Sequence, residues 1–76
     1  SELRHAHFDL PATRARELKV WAHRIAPDGN SEALPGLLTL HSDGLEHQFD
    51  LKMSGGQVLV PIAGSACRLS LDFAGR

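Results

Sequence analysis

The chain has 76 residues, 42% hydrophobic and 22% charged, which bounds it to one small globular domain that must use its core fully. A formal net charge of −1 gives no basic footprint for nucleic acid, and a single cysteine excludes any intrachain disulfide. No apolar run approaches the roughly 20 residues of a membrane-spanning helix, so no membrane insertion is expected. Residues 1–76 are read as a single domain, compatible with a piece cut from a larger protein, and the compartment stays open. The charge is uneven: residues 1–26 carry a net +2 and residues 27–76 a net −3. A dipole this weak suits intramolecular pairing better than a polyanion surface.

Residues 3–9, Leu-Arg-His-Ala-His-Phe-Asp, predict a short strand. Arg4, Ala6 and Phe8 share one face, while His5 and His7 share the other. A turn at Leu10-Pro11-Ala12-Thr13-Arg14 follows, because proline cannot donate to a ladder. Between Glu17 and Ala26 the pattern is ambiguous. Ala15, Leu18, Ala22 and Ile25 recur at helical spacing, but Val20 and Trp21 and the β character of the rest favour a strand. On that reading Leu18, Val20 and Ala22 face inward and Lys19, Trp21 and His23 outward. Pro27-Asp28-Gly29-Asn30-Ser31 predicts a loop that runs on to Pro35-Gly36 and crosses between sheets or forms a surface feature.

The clearest element is Leu45 to Met53, alternating apolar and polar with His47 as the exception. Asp43-Gly44 precedes it and Gly55-Gly56 follows, both suited to two-residue hairpin turns. The first turn pairs Ser42 with Leu45, Leu40 with His47 and Leu38 with Phe49. The second pairs Met53 with Val58, Leu51 with Val60 and Phe49 with Ile62. A four-residue loop, Ala63 to Ala66, then pairs Ile62 with Cys67, Val60 with Leu69 and Val58 with Leu71. All three registers set apolar against apolar, and a one-residue slip would destroy them. Pro61 would face Asp50 and interrupt the ladder, marking a bend toward a second sheet. The expected fold is therefore all-β: a small antiparallel β-sandwich of about six strands, or else a small open β-barrel.

Candidate chemistry is sparse. Trp21 between Lys19 and His23 forms an outward stripe that suits stacking on a sugar or anchoring another protein. His5 and His7, about 6.5–7 Å apart along a strand, have a spacing used by β-sheet metal sites, with His41 as the third candidate. An isolated pair binds weakly, so a merely histidine-bearing polar face is the first expectation and a zinc or copper domain the alternative. His47, on the apolar face, reads as a neutral core histidine, and Cys67 as an inert buried thiol. No nucleophile elbow or phosphate loop appears, so no enzyme and no cofactor are expected. An oligonucleotide-binding barrel ranks third, because it needs exposed aromatics along a basic groove. The sequence thus favours a non-catalytic binding or spacer module. Its partner is another protein, a neighbouring domain or a glycan, and its contact residues are Lys19, Trp21 and His23.

Overall fold

The computed structural model describes residues 3–74, which are all-β and entirely antiparallel. Eight strands replace the expected six: β1 (Leu3–Leu10), β2 (Glu17–Trp21), β3 (His23–Ile25), β4 (Ser31–Ala33), β5 (Gly36–Ser42), β6 (Leu45–Asp50), β7 (Gln57–Pro61) and β8 (Cys67–Ala74). The two additional strands arise where a strand and a loop were read. The 17–26 strand is interrupted at Ala22, and the chain around Pro27 to Asn30 closes a short β3–β4 hairpin. Its turn is held by bonds from the Asn30 N–H and side-chain amide to the Asp28 carboxylate, and accepting them holds that carboxyl below the ordinary carboxylate range.

Four strands form the larger sheet in the order β1-β8-β5-β6, and β2 and β7 form a separate pair. The β5–β6 hairpin has the predicted register, Ser42 opposite Leu45, Leu40 opposite His47 and Leu38 opposite Phe49. Asp43 and Gly44 both adopt the positive φ that this tight turn requires.

The next two pairings are corrected by the structure. Strand β6 ends at Asp50 rather than Met53, and β7 pairs with β2 rather than β6. Strand β8 lies between β1 and β5, with Leu69 opposite Phe8 on one side and Leu40 on the other. The physical cause is at the end of β6. The Asp50 carboxylate accepts the Met53 N–H, and the backbone turns through residues 51–56 instead of continuing extended. Gly55 and Gly56 are turn residues as expected, but the turn carries the chain to the other sheet. Leu51 drops between the sheets as it does so, its N–H bonded to the Gly36 carbonyl. Pro61, opposite Glu17 rather than Asp50, ends β7, after which the chain crosses back.

Leu38, Leu40 and Leu69 from the large sheet meet Val58 and Val60 from the small one, with Ala22 and Leu51, in one buried cluster. The sheets are open and not closed into a barrel, so the arrangement is a small β-sandwich. No helix long and apolar enough to cross a membrane occurs among the described residues.

The sandwich sets the four-stranded sheet against the β2–β7 pair, with the β3–β4 hairpin as a further two-stranded sheet. At roughly 4.8 Å per strand, the small sheet covers only about half the width of the large one. The inner faces of the edge strands β1 and β6 consequently overhang. Phe8 on β1 and Leu45 on β6 are exposed although each stands in register with core leucines or serine on the same face. His47 is corrected for the same reason: it is an exposed residue, lining an open groove of about 300 Å³ with Leu40, Leu45, Pro61 and Ile62.

Candidate functional site

Strand β2 positions the first candidate. Its alternation half-buries Leu18 and Val20 and exposes Lys19 and Trp21. Trp21 keeps 64% of its surface accessible, and the Lys19 ammonium sits 5.2 Å from its ring centroid. A cation over an indole at this distance contributes about 0.5–1 kcal/mol when exposed. At Ala22 the chain is pinned: its N–H donates to the Gly56 carbonyl, and its own carbonyl accepts the Leu34 N–H. Beyond that pin His23 is exposed, packed against the backbone of Gly56. Arg24 is tied to Glu32 at 2.7 Å, closing the β3–β4 hairpin beside it.

Trp21 and His23 share a groove of about 350 Å³ with Phe8, over a floor of Leu38, Leu69 and Leu71. Phe8, 56% accessible, faces this groove from β1. Lys19, Trp21 and His23 are on the exterior as alternation predicts, whereas nothing in the face shared by Arg4, Ala6 and Phe8 marks Phe8 as exposed. Alternation identifies which face a side chain is on, not whether the opposite sheet reaches far enough to cover it. The groove also lies beside two strand edges. Among the described residues, strand β1 has β8 on one side only, and β2 has β7 on one side only.

The second candidate region is the outer face of the large sheet. There His5 is opposite Asp72, His7 opposite Ser70, and Asp9 opposite Arg68, which itself faces His41. His5 Nδ1 lies 2.7 Å from the Asp72 carboxylate, and the His5 and His7 rings are 6.0 Å apart. His41 shares this face but has strand β8 between it and β1. Its Nε2 is 3.1 Å from the Ser70 hydroxyl, and its Nδ1 is 3.2 Å from Glu46. Thus His5 and His7 are brought together and His41 is not. Among the described residues, no three His, Cys, Asp or Glu side chains converge to hold a metal ion. Cys67 is a free, half-buried thiol packed against the core.

Arg68 forks onto Asp9 with bonds of 2.7 and 3.3 Å. Its guanidinium hydrogen bond holds the Asp9 carboxyl below the ordinary carboxylate range, and Asp9 in turn raises Arg68. A carboxyl with a depressed folded pKa stabilises the native state above its unfolded value of about 3.9, and that contribution is lost as pH falls through the lower folded value. Melting temperatures followed down from about pH 5 should therefore fall less steeply for Asp9→Asn than for the wild type. The amplitude is small because both groups are exposed. An identical acid dependence for the two proteins would show that the pair adds nothing.

No protein-family model, curated protein or solved structure matches the chain.

Proposed function

We propose that this domain is a non-catalytic binding module that takes an extended segment of a partner protein or neighbouring domain into the Phe8–Trp21 groove. The observation that carries this reading is a groove walled by the exposed aromatics Phe8 and Trp21 over a floor that includes the buried Leu38 and Leu69. Apolar surface of this kind costs free energy to leave in water, at about 25 cal/mol per Å². Large aromatics on a groove wall are also the side chains that most often anchor protein contacts. The unpaired side of β2 adds a second element: backbone N–H and C=O groups at an edge can accept one further strand. Such a strand would widen the small sheet and cover Phe8. Lys19 and His23 then act at the rim, where polar contacts set orientation.

A random-peptide display library panned over the immobilised domain tests this. Selected peptides should bind the wild type and perturb Trp21 fluorescence. Binding should fall at least tenfold in Trp21→Ala and in Phe8→Ala, while melting temperatures stay close to wild type, because exposed substitutions usually change stability by about 0.5 kcal/mol or less. Selected peptides that bind both variants as well as the wild type would remove the groove from the reading. A glycan array probed in parallel discriminates the sugar-binding alternative, since stacking on Trp21 alone would respond to Trp21→Ala but not to Phe8→Ala.

A further inference from the structure

On the opposite face of β1 from the groove, we infer that His5 and His7 are half of a zinc site that a second copy of this chain completes along the β1 edge. The two imidazoles stand on alternate residues of one strand, with ring centroids 6.0 Å apart and planes tilted by 42°. Two rings sharing one zinc at Zn–N distances of about 2.0–2.1 Å have centroids roughly 5–6 Å apart, so a small rotation of either side chain suffices. The His5 ring is already oriented. Its Nδ1–H donates to the Asp72 carboxylate at 2.7 Å, which leaves Nε2 as the free donor. A carboxylate behind a ligating histidine fixes the tautomer and the orientation of the ring. Asp72 is therefore a positioning residue, not a ligand.

One chain cannot finish the coordination sphere. Structural zinc takes four ligands, and no third group converges on this pair among the described residues. The missing ligands must come from outside, and β1 has an open side. It is eight residues long and is bound to β8 along one edge, and among the described residues no strand pairs with the other. Antiparallel pairing of two β1 strands about a two-fold axis at Ala6 sets His5 of each copy opposite His7 of the other. Directly opposed residues have Cβ atoms about 4.5–5.5 Å apart, and alternate residues on one strand about 6.5–7 Å. Four imidazoles then form a compact rectangle on the outer face, with an Asp72 behind each His5. The interface is self-complementary, as a two-fold dimer requires. The remaining charged pair on β1's outer face, Asp9 with Arg68, is internally satisfied and does not compete for the ion.

The test uses tag-free protein, zinc chloride as the only added probe, calorimetric titration and sedimentation velocity. The expected result is one zinc per two chains, with the mass doubling from 8.3 kDa and returning on addition of EDTA. His5→Ala and His7→Ala should each remain monomeric at the same zinc concentration while keeping the wild-type far-UV spectrum. Asp72→Asn should weaken zinc binding by about 10–100-fold. Its zinc-free melting temperature should stay near wild type, which separates positioning from a structural role. Zinc bound to monomers, absence of binding at micromolar zinc, or a dimer that survives EDTA or His7→Ala would each overturn the inference. Peptide binding in the groove is scored on separate variants, Trp21→Ala and Phe8→Ala, so failure of one reading leaves the other standing.

Discussion

Leu51→Ala should be the most damaging single truncation in this domain, unfolding it or removing most of its stability. Leu51 and Val60 are the two largest side chains with no accessible surface. Leu51 is not in a strand; it plugs the space between the sheets at the point where the chain crosses from β6 to β7. Its backbone is fully engaged as well, donating to the Gly36 carbonyl and accepting from Gly56 N–H and the Ser54 hydroxyl. Neighbouring atoms held this firmly cannot collapse into a vacated space, so the cost falls toward the upper part of the 2–5 kcal/mol range for Leu→Ala. A chain of this length has only about 4–11 kcal/mol of total stability. Phe49→Ala removes a larger side chain, but one half-exposed at the overhanging edge strand, and should cost less. Gln48→Ala, on the outer face, should change stability by about 0.5 kcal/mol or less. Urea denaturation of the three variants orders them; Gln48→Ala exceeding Leu51→Ala would mean that the assigned faces are reversed.

Leu51 also marks the limit of what alternation can convey. In sequence it continues the period-two pattern of Leu45 to Met53, and it reads as the next inward residue of one long strand. The β5–β6 hairpin was legible because two signals agree there: Asp43-Gly44 fixes the turn, and the apolar register fixes the pairing. For β7 the turn signal, Gly55-Gly56, is present but belongs to a crossover and not to a hairpin, and for β8 only the second signal exists. Val58, Val60, Leu69 and Leu71 each match apolar partners on several strands, so the pattern identifies an inward face without identifying the neighbour. In a sandwich successive strands often belong to different sheets, and the crossing is decided by a local backbone event. Here that event is the Asp50 carboxylate capturing Met53 N–H, an interaction that competes with the ladder.

The candidate sites divide in the same way. Lys19 and Trp21 were legible as an exposed stripe, because alternation along a single strand suffices to place them. Phe8, Leu45 and His47 were not, because their exposure depends on the width of a sheet to which they do not belong. His5 and His7 share a face by spacing alone. The role of Asp72 depended on β8 lying next to β1, which the separation of 67 positions between His5 and Asp72 had left open. His41 fell on the expected face but one strand too far away.

Gly56→Ala should be the second large loss, at about 2–4 kcal/mol, and it probes the joint that supports the groove. Gly56 has φ of +82°, is buried, and joins three segments. Its N–H donates to the Leu51 carbonyl, closing the crossover turn, and its carbonyl accepts from Ala22, where β2 gives way to β3. An added Cβ would lie 2.8 Å from His23 Nε2 and 3.0 Å from the Ala22 carbonyl oxygen. The imidazole can swing away, but that carbonyl is held by Leu34 N–H and cannot. Gly55 is the control, with φ of +75° and nothing within 4 Å of its would-be Cβ. Gly55→Ala meets only the left-handed backbone penalty of about 1–2 kcal/mol, so the difference between the two variants isolates the steric part. His23→Ala in the Gly56→Ala background should recover part of that difference, not all of it, because the backbone clash remains. Urea midpoints for the wild type, His23→Ala, Gly56→Ala and the double variant measure this as a double-mutant cycle, with Gly55→Ala beside it as the control. Equal losses for Gly55→Ala and Gly56→Ala would mean that Gly56 is required by its backbone conformation alone, and that the Ala22–His23 joint does not press on it.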